Sequence, residues 1–292
     1  MVKNKMIIEI SIIFAFLAMI CWGFGDFFIQ KCARKIGNLE SLAYIGIIGT
    51  LLLIPFIIKD FNLIFSSYNL FLLFGLGIIT FIAAILDFEA LKEGKLSIID
   101  VIFEIELPLT IVLSFIFLRE SLTSLQFLFI FFILIGIIFT ATKSFSHWRT
   151  RLEKGVIFAV LAAIAMSLVN FLTGVSAKEV SPLMAIWVPW IVFSFISMFI
   201  IIKRKNAKKF LKDGFKFKSI VVPMAIIDTA AWIFYALALV KEEISIITAI
   251  TESYPALALF LGVYFNREKV RWYQYAGAIM AICASIVLGI SI

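Results

Sequence analysis

Histidine occurs once in this chain of 292 residues, at His147, and charged residues make up only 15% of it. One histidine cannot build a histidine-rich metal site. The strings HExxH, GxGxxG and the P-loop are also missing, so nothing points to a metalloprotease, a dinucleotide or a nucleoside triphosphate. Three cysteines, Cys21, Cys32 and Cys283, stand too far apart for a CxxC metal site and too irregularly for a disulfide framework. A soluble domain carries roughly 25% charged residues and about 45–50% apolar ones. Here the apolar share is 63%, with 32 phenylalanines. That excludes a water-soluble globule, a disordered tail and a secreted disulfide scaffold. The net charge of +7 is spread between apolar runs rather than gathered in one patch, which argues against a nucleic-acid partner. The expected partner is the lipid bilayer.

A helix crosses the hydrocarbon in about 20 residues. Charged clusters cut the chain into ten apolar stretches near that length, at roughly 6–29, 42–58, 69–90, 97–118, 124–142, 155–177, 182–202, 219–240, 244–265 and 272–290. The first is too long for the apolar region of a cleavable signal, and no small-residue cleavage site follows it. The connections are short except 143–154 and 203–218. The second of these carries eight lysines and arginines and reads either as a solvated basic loop or as a segment held by anionic headgroups.

Sliding the chain on itself by 148 residues aligns Ser97 with Ser245, Glu104 with Glu252, Glu120 with Glu268 and Gln126 with Gln274. Nearer the start of each half an offset of 144 pairs Asp26 with Asn170. The expected architecture is therefore all-α and integral to the membrane. It has ten transmembrane helices in two five-helix halves, residues 1–148 and 149–292. Five is odd, so the second half enters the membrane from the opposite side, the inverted-repeat plan of many secondary transporters. The loops after spans 1, 3, 5, 7 and 9 hold 20 of the 26 lysines and arginines. By the positive-inside rule that face is cytoplasmic, which places both termini outside the cell membrane.

Trp22-Gly23 late in span 1, Ala90-Leu91 running into Gly94 and Ser97, Pro108 in span 4, and Arg119-Glu120 followed by Leu122-Thr123 and Gln126 resemble the EamA-type pattern of the drug/metabolite transporter superfamily. The second half repeats the block with Ser245, Pro255, Arg267-Glu268 and Gln274, but has Met166-Ser167 in place of Trp-Gly and Lys269-Val270 in place of Leu-Thr. The resemblance implies a ten-helix inverted-repeat carrier of small metabolites, often outward, with no cofactor and no enzymatic activity.

Acids inside spans are the candidate site, because each costs at least about 2.5–3.5 kcal/mol to insert. Glu104 and Glu252 each sit about eight residues into a span, roughly 12 Å deep, and approach the midplane from opposite faces. Asp100 and Thr248 lie one turn before them, and Pro108 and Pro255 about one turn after. Two structural glutamates bonded to neighbouring helices are the plainer reading. Asp228 is central in span 8, with Trp232 and Tyr235 on the same face. A carboxylate framed by aromatic rings suits an amine through charge and cation–π attraction; packing alone would use the same rings. Asp87 aligns with Tyr235 across the repeat and is expected to face the same cavity. Trp22 and Asp26 are placed at its mouth, with Asn170 as the partner position of Asp26. Glu106, two residues from Glu104, should point away from it. The small-residue stripe Gly277, Ala281, Ser285 and Gly289 is expected to pack within the chain, although a homodimer face has the same look.

Gly23-Phe24-Gly25-Asp26 and Pro255-Ala256-Leu257 also occur as GxGD and PAL strings in presenilin-type proteases. That chemistry needs a second aspartate in a Tyr-Asp pair, and no tyrosine here precedes an aspartate. The sequence thus predicts a secondary transporter that exports amine-bearing metabolites such as amino acids, either proton-linked through the buried carboxylates or facilitative. A multidrug or organic-cation exporter is the alternative.

Overall fold

The computed structural model describes residues 2–93, 102–141, 154–266 and 270–291. Asp100 lies outside the described residues, as does the side chain of Asp26. Every regular element among the described residues is helical: α1 (Val2–Ile36), α2 (Asn38–Ile57), a 3₁₀ turn (Phe61–Phe65), α3 (Ser67–Glu93), α4 (Glu106–Leu118), α5 (Ser124–Ala141), α6 (Lys154–Glu179), α7 (Met184–Lys203), α8 (Ala207–Lys216), α9 (Lys218–Leu239), α10 (Ile244–Thr251), α11 (Tyr254–Asn266) and α12 (Trp272–Ile290). In hydrocarbon each backbone N–H and C=O must be satisfied within its own segment, which is why the apolar runs become helices.

Among the described residues six helices are long and apolar enough to span a bilayer, with shorter apolar helices at Ile10–Gly25, Glu106–Leu118 and Ser124–Thr140. The outward faces carry large apolar side chains: Phe71, Phe115 and Phe195 are each more than 65% exposed. Contiguous apolar surface of this kind needs lipid rather than water around it. The interior instead holds small residues such as Ala15, Ala18, Ala225, Ala281 and Ser285, all fully buried, so helices approach closely. The structure is that of a multi-pass membrane protein.

α1 packs mainly on α9, and α3 mainly on α6. α2 lies along α7, α5 along α12, and α4 touches both α6 and α10. α1 turns into α2 at Gly37, whose φ of 108° is open only to glycine without strain.

Two spans differ from the continuous helices expected. At Glu104-Ile105 the chain makes a turn before α4, and at Glu252-Ser253 a second turn separates α10 from α11. Pro108 and Pro255 follow within four residues of these glutamates. Proline lacks an N–H to donate back into the preceding turn, so the helix restarts there rather than merely loosening. The basic segment 203–218 is likewise not a plain loop, since it contains α8.

The small-residue stripe of α12 packs within the chain. A Cβ added at Gly277 would stand 2.6 Å from the carbonyl oxygen of Gly136 on α5, and one at Gly136 would stand 2.7 Å from the carbonyl of Gly277. Gly289 meets Ile12 of α1. Backbone cannot move aside cheaply, so Gly277→Val is expected to force α5 and α12 apart and to cost about 3 kcal/mol. Thermal unfolding in detergent checks this. Gly75→Ala is the control, since nothing lies within 4 Å of its added methyl; it should leave the midpoint unchanged or slightly raised.

Candidate functional site

The bundle encloses a cavity of about 150 Å³. One water needs roughly 10–15 Å³ measured this way, so the space suits about ten waters or one small metabolite. Its walls come from the late part of α1 and α3, the early part of α2, the middle of α6, α7 and α9, and both helix breaks. The cavity therefore runs from mid-bundle toward the end that carries the basic segments.

Five carboxylates line it: Asp87, Glu104, Glu106, Asp228 and Glu252. No lysine, arginine or histidine is among the described lining residues. Glu104 and Glu252 each stand at one of the turns and line the wall. Asp228 is 7% exposed, held by the central turn of α9. Glu106 corrects the expectation that it points away. That expectation assumed an unbroken helix, and the turn at Glu104-Ile105 resets the phase so that both glutamates reach the cavity. Asn170 of α6 donates from Nδ2 to Glu106 Oε1 at 2.6 Å and to Glu252 Oε1 at 3.5 Å. One amide thus ties the restart of α4 to the break between α10 and α11.

Aromatic rings form the rest of the wall. Trp22 and Trp232 meet edge to face at 5.2 Å, and Trp232 meets Trp190 at 6.0 Å. Tyr254, at the start of α11, lies 6.3 Å from Trp22. Trp22 is thus not at a mouth but buried in the wall. Trp190 and Phe193 gave no signal in sequence, since aromatic residues in an apolar run read as packing. The signal was on the partner helix. Gly46 and Gly49 of α2 would clash with Ser194, Phe193, Trp190 and Thr229 if they bore a Cβ, and Trp190 Nε1 donates to Thr229 at 3.1 Å.

Two expected site residues stand behind the wall. Tyr235 is fully buried, its hydroxyl bonded to that of Thr248 at 2.7 Å, its ring against Trp22 and Trp232. This pair joins α9 to α10 and supports the lining rather than facing the cavity, whereas Asp87 does face it. The reason is that Tyr235 finds a hydroxyl partner on α10, and a buried phenol settles where its O–H is satisfied.

At the opposite end of the bundle the helices are tied by polar contacts. Glu120, 8% exposed, accepts from the Ile244 N–H at 2.6 Å and from the Ser245 N–H and hydroxyl at 3.0 and 2.7 Å. Lys178 of α6 stands 3.6 Å from it. Tyr68 donates to Glu179 at 2.7 Å, and Ser181 to Asp60. Beside this group, burial pushes the carboxyl groups of Glu242 and Glu243 up from the ordinary glutamate range. The neighbouring charge of Glu120 adds to the rise at Glu243, while the Ser121 N–H and Lys178 oppose it. A raised acid favours the neutral form in the folded chain. Its contribution is therefore complete below the ordinary glutamate range and is lost as pH rises through the raised value. Glu243→Gln should raise the unfolding midpoint at neutral pH and flatten its fall between acid and neutral pH, as read by thermal melts across that range.

The EamA-like transporter family matches residues 9–142 and, a second time, residues 153–290. The chain belongs to this family. EamA-like proteins are membrane transporters of the drug/metabolite type. An uncharacterized protein of Methanocaldococcus jannaschii is 30% identical over 132 residues, which cover 44% of this chain and 95% of that protein. A crystal structure matches 95% of both chains with a TM-score of 0.76 at 12% identity, a likeness of fold.

Proposed function

We propose that this EamA-like protein carries small amine-bearing metabolites, such as amino acids, out of the cell. It would do so by alternating access between inverted halves at 1–148 and 149–292. The observation that carries the substrate class is the cavity itself, with five carboxylates and a tryptophan-rich wall around one small space. An ammonium group is attracted by both. The N-terminal ends of α4 and α11 abut the same space, and a helix start favours an anion. That gives a substrate carboxylate a place.

Several features support the repeat. The two family matches fall on either side of residue 148. Glu104 and Glu252, 148 apart, both sit at a helix break. Under the repeat, span 1 corresponds to span 6 and span 3 to span 8, so α1 on α9 and α3 on α6 are equivalent pairings, and these are the two most extensive. Counting the shorter apolar helices and joining α10 to α11 gives ten spans. With the basic end cytoplasmic, the cavity is reached from inside, and the ties around Glu120 close the outer end. The five acids also supply a route for proton coupling. Crowded like charges at short range in a poorly solvated space repel strongly, so protons or a cationic substrate relieve them in turn.

A growth-protection panel tests the substrate. Expressing cells are challenged with toxic amino-acid analogues, the matching amines lacking the carboxylate, and planar dyes. Protection against the amino-acid analogues supports the reading. The aromatic wall, with no basic residue among its described lining residues, also favours the organic-cation alternative, and protection confined to amines and dyes would select it.

A further inference from the structure

α8 (Ala207–Lys216) connects α7 to α9 at the basic end of the bundle. One face is fixed. Phe210, 4% exposed, stacks on Tyr44 of α2 at 4.1 Å and 11°, and the Tyr44 hydroxyl donates to the Phe210 carbonyl. Gly214 lies against the same ring, where a Cβ would stand 2.1 Å from the Tyr44 hydroxyl oxygen. The helix cannot roll without losing both contacts.

With that face held, the helical repeat decides where the other residues go. Leu211 and Phe215, one turn apart, share a flank and are 59% and 80% exposed. Lys208, Lys212, Lys216 and Lys209 follow around the helix, all exposed. Asp213 is the one acid on α8. α7 and α9 are each long and apolar enough to span a bilayer, which puts the segment joining them at the edge of the hydrocarbon. An exposed leucine and phenylalanine beside four lysines is the pattern of a helix lying in the interface, its apolar flank among acyl chains and its cations among headgroups.

We infer that α8 is a docking surface for anionic phospholipid headgroups of the leaflet at the basic end. Charge complementarity selects the headgroup, since the surface potential of an anionic leaflet attracts each lysine near it. The apolar flank selects a lipid over a nucleic acid or an acidic protein, neither of which has a use for Phe215. The site has a path to the cavity. α8 leads through Phe217, with the amines of Lys35 and Lys216 at 5.3 and 5.1 Å from its ring, into α9, which carries Asp228 and Trp232. This inference rests on the membrane placement and not on the identity of the substrate.

The test uses the full chain in lipid nanodiscs, with Cys21, Cys32 and Cys283 replaced by alanine and Phe215→Cys bearing an environment-sensitive dye. Quenching by lipids brominated near the headgroup is compared between discs of phosphatidylcholine and discs containing phosphatidylglycerol. The expected result is at least about twofold stronger quenching with phosphatidylglycerol. That excess should persist when free glycerol phosphate is added and disappear when Lys208, Lys209, Lys212 and Lys216 are all changed to glutamine. Elution of that variant as an unaltered peak shows that it is folded. Equal quenching in both lipids, a dye fully in water in both, dye–dye quenching between two copies, or loss of the excess on adding glycerol phosphate would each overturn it.

Discussion

Glu120→Ala is expected to destabilise the chain by about 3 kcal/mol or more and to loosen the end of the bundle opposite the cavity. The side chain accepts three hydrogen bonds from the start of α10, at 2.6, 3.0 and 2.7 Å, in a setting only 8% exposed. Hydrogen bonds to a charged group contribute about 1.5–3 kcal/mol, and a buried donor left unsatisfied costs about 1–3 kcal/mol. The lost carboxylate also removes an anion from a helix N-terminus. The ion pair with Lys178 is the lesser part. Lys178 is 29% exposed and 3.6 Å away, and a pair of that kind is worth about 1 kcal/mol or less. Lys178→Ala should therefore be far milder than Glu120→Ala, and Glu120→Gln, which keeps one acceptor, should fall between. Thermal melts of the three variants decide the order. Equal losses from Lys178→Ala and Glu120→Ala would show that charge, not capping, holds this end.

The second large effect is at Glu106 and Glu252. Because the Asn170 amide reaches both, the two carboxyl groups are close neighbours, one on each broken span. At an effective dielectric of 20, two charges 4 Å apart interact by about 4 kcal/mol. A shift of even 1.4 kcal/mol is tenfold in an equilibrium. Replacing either acid with glutamine keeps the shape and most hydrogen bonding but removes the exchangeable proton. Glu106→Gln and Glu252→Gln are each expected to lower gradient-driven transport at least about tenfold, with folding intact. Solute exchange at equal pH on both sides should survive, since no net proton movement is needed there.

The sequence carried much of this arrangement. Apolar runs of bilayer length and the acids within spans follow from composition and spacing, and Asp87, Glu104, Asp228 and Glu252 meet at one cavity; the family match falls on the chain twice. What escaped has physical reasons. Glu106 was misplaced because helical periodicity was carried across a turn that no local propensity marks. Tyr235 and Thr248 share a face with cavity residues, yet satisfy each other one layer back. The α12 stripe carries no mark of its partner in the sequence; the fold shows that the crossing uses Gly136 of α5. Arg119-Glu120 reads as a motif in the chain. Only the fold shows that its carboxylate caps a helix 124 residues away.

In the proposed function the acidic, aromatic cavity carries the solute and its coupling proton. Proteoliposomes measure this most directly, by uptake of labelled phenylalanine and phenethylamine with and without a pH gradient, for the wild-type chain, Glu106→Gln and Glu252→Gln. Uptake of at least one probe is expected, accelerated by the gradient in the wild type alone, with exchange retained in both variants. Flux that ignores the gradient, or variants as fast as the wild type under it, would show that these acids do not couple the solute to protons.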